Sequence, residues 1–399
     1  MLEVNTQKIN KKVMGGKEKV RVAAIQASQI VFNKEKSIQK ACRLIKEAGA
    51  NGAELVAFSE TFIPVYPAYY TGGWESPLEE WMAWNVNLQD HSVVIPSEDT
   101  EIIGQACREA GVYCVMGVNE LDDKTGSRTL YNTQIMFGKD GKVLGRHRKL
   151  MPTYTERTYW GWGDGSDLKV YDTDIGRIGS LICWEHHTIL VRAAQMLMGE
   201  EFHISNWPGN WSIGSGKPGE KRGTVLEGST NSLGYPCDLQ FAIREYAFEA
   251  GSFVISVSGL LREEDFEPQF KDFITSDHMN FKWAVGGSAI VNPFGEYLAE
   301  PVFNQETILY ADCYANDIKA VKAFFDGLGH YSRPDVTRLL VKTTPNENVI
   351  PLAESVAPPS ITIPSYTDLK RISETFEVSL KKLETLATKV EELLTAASR

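Results

Sequence analysis

The sequence predicts a layered α/β fold. Three observations point to it: a strand–helix–strand unit near the start, repeated alternation of strand-like and helix-like segments as far as Phe325, and hairpin signals between neighbouring strands. The first unit opens with an apolar, β-rich run over Val20–Ile30. A helix follows over Lys34–Ala50, with Ile38, Ala41, Cys42, Ile45 and Ala48 at helical spacing. Gly49-Ala50-Asn51-Gly52 ends that helix. A second strand spans Glu54–Ser59 and leaves Glu60 at its end.

The alternation continues with a helix over Glu98–Gly111 and a strand over Val112–Leu121. Strands Tyr131–Phe137 and Val143–Lys149 flank the turn Lys139-Asp140-Gly141-Lys142. Leu168–Tyr171 and Arg177–Cys183 form a further pair around Gly176. Helix Thr188–Gly199, strand Phe202–Ser205, helix Leu239–Ala250 and strand Ser252–Ser258 come next. A hairpin over Gly286–Glu300, a strand over Ile308–Cys313 and a short helix over Asp317–Phe325 complete the pattern. Lys149 and Cys183, like Glu60, therefore fall at strand ends, where the site residues of α/β sheets collect.

Two stretches break the alternation. Pro208–Pro236 is rich in Gly and Ser and reads as a long loop, which in a compact domain is often functional. Pro345–Pro364 is Pro-rich and reads as an extended linker. Beyond it, Phe376, Leu380, Leu383, Ala387, Val390 and Leu394 recur four and three apart, with charged residues between them. This is a short heptad pattern, expected to form an amphipathic helix over about 368–397. Such a helix packs either on its own subunit or on a neighbour.

Composition narrows the function. The net charge is −11 and the pI about 5.3, which argues against a general nucleic-acid binder. No stretch reaches the roughly 18 apolar residues of a membrane span. The polar, Lys-rich start, Met1–Lys19, has no apolar central run and is expected to be a flexible lead-in rather than a secretory signal. Cys42, Cys107, Cys114, Cys183, Cys237 and Cys313 form no CxxC pair, so reduced thiols and a cytoplasmic location are expected.

The chemistry-bearing residues are Cys183, Glu60, Lys149 and Glu156. A lone thiol at a strand end is usually a small buried hydrophobe. Two carboxylates and an ammonium set among apolar residues change that reading, because an unpaired buried charge costs several kcal/mol and these charges compensate one another. Grouped near a thiol they also supply a base for its proton and a cation for developing negative charge.

The motifs Phe58-Ser59-Glu60-Thr61-Phe62-Ile63-Pro64, His147-Arg148-Lys149-Leu150-Met151-Pro152-Thr153 and Leu181-Ile182-Cys183-Trp184-Glu185 resemble those of the nitrilase superfamily, and occur in family order. Glu156-Arg157, Trp160-Gly161, Gly163-Asp164-Gly165-Ser166, Cys183-Trp184-Glu185-His186 and Gly329-His330-Tyr331-Ser332-Arg333-Pro334-Asp335-Val336 look like the true nitrilase branch. The resemblance covers about Val20–Val341. It implies a four-layer α-β-β-α sandwich with a C-terminal extension. The expected division is a lead-in over 1–19, a catalytic domain over 20–341 and a tail over 342–399.

The resemblance also implies roles. Glu60 is the general base, Lys149 steadies the anionic intermediate, Cys183 is the nucleophile and Glu156 is a further active-site glutamate. Tyr66, Trp160, Trp184 and Trp207 match the substrate-binding aromatics, with Trp184 placed to offer its backbone N–H. His186 is expected to support the site without acting as its base. The implied reaction converts a small nitrile to a carboxylic acid and ammonia through a thioimidate and a thioester, with some amide as by-product. It needs no cofactor and no metal. Homo-oligomers built from dimers, extending to spirals or filaments, are implied as well.

Alternatives remain at this point: an amidase, a cyanide-degrading enzyme, or a non-catalytic assembly protein on the same fold. Two departures leave the substrate class open. The chain reads His187-Thr188-Ile189-Leu190 where many nitrilases have Pro before the Leu, and the 208–236 loop is long and Gly-rich.

Overall fold

The computed structural model describes residues 12–70, 77–124, 126–209, 238–274, 284–346, 377 and 380–389. The chain divides into two compact units, Met1–Pro345 and Asn346–Arg399.

The first unit holds two six-stranded sheets. In chain order the first sheet uses β1 (Lys19–Gln26), β2 (Leu55–Phe58), β3 (Tyr113–Leu121), β4 (Leu130–Phe137) and β5 (Val143–Arg148). The second uses β6 (Tyr171–Thr173), β7 (Gly176–Ile182), β8 (Phe202–Trp207), β9 (Phe253–Ser258), β10 (Gly286–Val291) and β11 (Tyr297–Phe303), and β12 (Thr307–Tyr314) returns to the first. The spatial orders are β12-β1-β2-β3-β4-β5 and β11-β10-β9-β8-β7-β6. In each sheet three consecutive strands, β1-β2-β3 and β7-β8-β9, pair in parallel, and antiparallel strands flank them. Helices cross between the parallel strands, as parallel pairing requires.

Alternation along the strands builds the layers. Val20, Val22 and Ala24 of β1 face the second sheet and meet Ile178, Phe202, Ile204, Phe253 and Ile255. Ala23 and Ile25 face the other way, onto α1 (Lys34–Ala50) and α3 (Glu98–Ala110). From α1 come Ile38, Ala41, Leu44, Ile45 and Ala48, and burying Ile45 fully stabilises the fold by about 1.5–3 kcal/mol. On the far side α4 (Ile189–Leu197) and α5 (Asp238–Ala250) cover the second sheet with Met196, Leu239, Ala242, Ile243 and Tyr246. The layer order is thus α-β-β-α, as the family resemblance implied.

Helix ends follow their capping signals. Asn33 caps α1 by accepting from the Lys36 N–H. Gly111, taken above as the last helical residue of α3, lies just outside it in the left-handed conformation that ends helices.

The structure also differs from the sequence reading elsewhere: the strand expected over Val20–Ile30 ends at Gln26. A helix over Leu78–Asp90, α2, was not expected; it buries only Trp84 and Leu88, while Leu78, Met82 and Val86 face outward, so no clean apolar stripe marks it. The strand expected over Leu168–Tyr171 begins at Tyr171, because Gly165–Asp167 forms a short turn of helix capped by the Asp164 side chain. Within the N-terminal segment Met14 is buried, and its N–H donates to Glu201. Two further short helices, α6 (Lys271–Ile274) and α7 (Ala315–Phe324), complete this unit. In the second unit residues 380–389 are helical, as the heptad pattern predicts. The loop 210–236 and the linker 347–364 lie outside the described residues. No helix among the described residues is long and apolar enough to cross a membrane.

Candidate active site

Glu60 lies two residues beyond β2. The turn that carries it presses against β3, and a Cβ on Gly117 would sit 2.2 Å from the Ser59 carbonyl oxygen, so only glycine fits there. Thr61 takes a left-handed φ of 42° to complete the turn. The Glu60 N–H donates to the Trp207 carbonyl at 3.3 Å, which ties the ends of the two sheets together. The carboxylate is buried. Its Oε1 accepts from Asn132 Nδ2 at 2.5 Å and Lys149 Nζ at 2.9 Å, whereas Oε2 has no hydrogen-bond partner among the described residues. Burial raises the Glu60 pKa to about 7. Lys149 opposes that shift and Glu156 adds to it.

Lys149 follows β5 directly, and its N–H donates to the Asn132 carbonyl at 2.8 Å. Asn132 of β4 therefore holds Lys149 by its main chain and Glu60 by its side chain. Lys149 Nζ also donates to Glu156 Oε1 and Oε2 at 2.9 and 2.7 Å. Burial works against the ammonium charge, but Glu156 and Glu60 outweigh it and hold the Lys149 pKa above its ordinary value.

Glu156 sits in one turn of helix over Tyr154–Thr158. Its carboxylate is fully occupied: Oε2 accepts from the Thr153 N–H at 2.6 Å, and Oε1 from the Tyr66 hydroxyl at 2.5 Å. Tyr66 packs against Trp160, ring centroids 5.7 Å apart, and the Trp160 ring centre lies 5.9 Å from Lys149 Nζ.

Cys183 follows β7 and takes a left-handed φ of 49°, a conformation that costs a non-glycine residue about 1–2 kcal/mol. It is 3% exposed. Its Sγ and one carboxylate oxygen from each of Glu60 and Glu156 all lie within 4.8 Å of one another. A set of this size and donor type can ligate a cation. Here the ammonium of Lys149 supplies the positive charge, at hydrogen-bond distance from both carboxylates.

The bend after Cys183 is clamped by Glu185. Its Oε2 accepts from the Ile182 N–H at 2.7 Å and meets His147 Nε2 at 2.8 Å, while Oε1 accepts from the Leu150 N–H at 2.9 Å. One carboxylate thus ties the Lys149 segment of the first sheet to the Cys183 bend of the second. Burial works against charge on both partners. Glu185 nonetheless holds His147 above the ordinary histidine pKa, and His147 with the two N–H groups holds Glu185 below the ordinary value.

The structure brings together Glu60, Lys149, Glu156 and Cys183, with Tyr66 and Trp160 beside them. Trp207 is buried in the same core cluster as Cys183 and stacks on His186 at 5.1 Å. Trp184 is only half-buried, and its ring meets the edge of His187 at 6.1 Å. Sequence reasoning missed Asn132, His147 and the clamping role of Glu185. The available signal was a polar run, Asn132-Thr133-Gln134, inside an otherwise apolar strand.

Comparison with known proteins agrees with this geometry. Residues 21–323 match the carbon–nitrogen hydrolase family. The chain is 34% identical over 344 residues to a nitrilase of Paraburkholderia phymatum, covering 86% of this chain and 92% of that protein. It is 35% identical over 323 residues to an aliphatic nitrilase of Rhodococcus rhodochrous, covering 80% and 81%. In fold it is similar to Nit3 of Saccharomyces cerevisiae, described as a member of branch 10 of the nitrilase superfamily, with a TM-score of 0.58, 21% identity, and 79% and 97% of the two chains covered. The chain therefore belongs to the carbon–nitrogen hydrolase family, on the branch of the proteins named nitrilases, and is an enzyme that hydrolyses carbon–nitrogen bonds.

Proposed function

We propose that the protein is a nitrilase that converts an organic nitrile to the carboxylic acid and ammonia, with Cys183 as nucleophile. One observation carries the reading. A buried thiol lies within 4.8 Å of two carboxylates bound to one ammonium, and one of those carboxylates, Glu60, keeps an oxygen without a partner among the described residues. The nitrilases of P. phymatum and R. rhodochrous, about one-third identical over most of the chain, favour a nitrile as substrate.

In this reading Glu60 takes the thiol proton as Sγ adds to the nitrile carbon and passes it to the nitrogen, giving a thioimidate. Lys149 and the Trp184 N–H stabilise the negative charge that develops on nitrogen. Glu156, saturated with hydrogen bonds, keeps Lys149 charged and in place. A water activated by Glu60 adds to the thioimidate, and the tetrahedral adduct expels ammonia to leave a thioester. A second water releases the acid and restores the thiol. Expulsion of the thiol from the tetrahedral adduct gives an amide instead. Tyr66, Trp160 and Trp207 supply the apolar walls against which the substrate packs. We place the enzyme in the cytoplasm as a homo-oligomer, with the heptad tail as a candidate contact; chromatography of a chain ending near Val341 checks this, and an unchanged oligomer removes the tail from it.

The test is a panel of aliphatic, aromatic and arylaceto nitriles, with matched amides and cyanide, scored for acid, amide and ammonia. Acid and ammonia from nitriles are expected. Turnover of amides alone identifies an amidase, and consumption of cyanide alone a cyanide-degrading enzyme.

A further inference from the structure

A chain of buried side chains runs from the back of Cys183 into the second sheet. His186 Nδ1 donates to the Cys183 carbonyl at 2.6 Å. His186 Nε2 meets His203 Nε2 at 2.9 Å, and His203 Nδ1 meets Glu200 Oε2 at 2.8 Å. The Tyr246 hydroxyl closes the chain on Glu200 Oε1 at 2.5 Å. His203 stacks on Tyr246 with centroids 4.0 Å apart. A Cβ on Gly179 would lie 2.0 Å from Glu200 Oε2, so the glycine makes room for the carboxylate.

These bonds dictate where the protons sit. A carbonyl only accepts, so His186 carries its proton on Nδ1. Burial, reinforced by His203, keeps His186 neutral, and its Nε2 is then an acceptor. His203 therefore donates from Nε2, and its Nδ1 is paired with Glu200 Oε2. From His203 to Cys183 the bonds run in one direction and end as a single N–H aimed at the Cys183 carbonyl.

A trans peptide is planar, with its C=O and N–H pointing in opposite directions. Fixing the Cys183 carbonyl therefore fixes the direction of the Trp184 N–H. The left-handed backbone of Cys183 makes such a grip necessary, because this conformation persists only where its surroundings enforce it.

We infer that His186, locked in one tautomer by His203 and Glu200, positions the Cys183–Trp184 peptide so that the Trp184 N–H faces the atom that becomes negative when Cys183 adds to its substrate. This rests on Cys183 being the nucleophile. His186, His203 and Glu200 touch no reacting atom; they are positioning residues.

The test uses the full chain with His186→Leu, His186→Asn, His203→Leu and His203→Gln. The Asn amide offers an N–H near the position of Nδ1, and the Gln amide one near Nε2. Three quantities are measured for each variant: kcat and KM, the alkylation rate of Cys183 by iodoacetamide, and the affinity for the aldehyde analogue of the best substrate. Alkylation forms the S–C bond as iodide leaves and develops no charge for the Trp184 N–H to meet. Addition of the thiol to the aldehyde does develop that charge, on oxygen.

For His186→Leu we expect kcat and aldehyde affinity to fall together by about 10²-fold, the order found when one oxyanion donor is removed. KM and the alkylation rate should stay near the wild-type values, and His186→Asn should restore most of kcat. His203→Leu and His203→Gln should repeat the contrast, and they ask the same question if His186→Leu does not fold. Wild-type kcat in both Leu variants overturns the inference. So does a loss of kcat matched by an equal loss of alkylation, which would mean that the chain supports the thiol itself. The underlying reading fails separately, and visibly, if folded Cys183→Ala turns over substrate.

Discussion

Glu60 and Glu185 make an instructive pair. Both are buried near strand ends, and each meets a nitrogen base, Lys149 or His147, at 2.8–2.9 Å. Their hydrogen bonding differs. Glu185 has both oxygens filled, by two backbone N–H groups and His147, and its pKa is held below the ordinary carboxylate value. Glu60 has one oxygen filled and one without a partner among the described residues, and burial drives its pKa up to about 7. A saturated carboxylate is locked as an anion and serves as a clamp. An unsaturated one is poised to accept a proton at neutral pH, as a general base requires.

Substitution of both residues should break turnover and stability apart. Glu60→Gln is expected to lower turnover by about 10²- to 10⁴-fold, the usual worth of a general base. Stability should be little changed, because Gln removes a costly buried charge while Glu156 still neutralises Lys149. Glu185→Gln should do the reverse and cost about 3–5 kcal/mol of stability, the range for removing one partner of a buried pair. Urea titration of each variant, read beside its kcat, checks the contrast; equal losses of stability would erase it.

Tyr66→Phe probes the other saturated carboxylate. It removes one donor from Glu156 and should cost about 1.5 kcal/mol in kcat/KM, with the thiol still alkylated normally.

The pH dependence sharpens the same comparison. A base displaced upward gives kcat/KM an acidic limb near 7 rather than in the usual carboxylate range. For the clamp, the native pKa of Glu185 is lowered, so its stabilisation is present above 4.5 and fades as pH falls through the native value. That of His147 is raised, so its stabilisation is complete below 6.5 and fades as pH rises through the native value. The stability difference between wild type and His147→Gln should therefore be largest between these limits and shrink on both sides; unfolding midpoints across pH 4–9 measure it.

The residues legible in the sequence were those fixed by local pattern. Strand periodicity placed Glu60, Lys149 and Cys183 at strand ends with Glu156 near them, and motif resemblance added Tyr66. The partners that set their chemistry were harder to read, because hydrogen bonding between strands distant in sequence leaves little local trace. Asn132 sits inside β4 and bridges Glu60 and Lys149 only once the strands of the first sheet have paired. Glu200 and His203 read as ordinary polar residues around an apolar strand, yet both are buried in one chain behind Cys183. Helix α2 escaped notice because its apolar residues are split between an inner and an outer face.

The most direct test is to mix the wild-type protein with a good nitrile, quench with acid during turnover, and map the added mass by peptide mass spectrometry. A covalent adduct confined to Cys183, absent from Cys183→Ala, is the expected result. An adduct on another residue, or undiminished turnover by folded Cys183→Ala, would contradict the assignment of Cys183 as nucleophile.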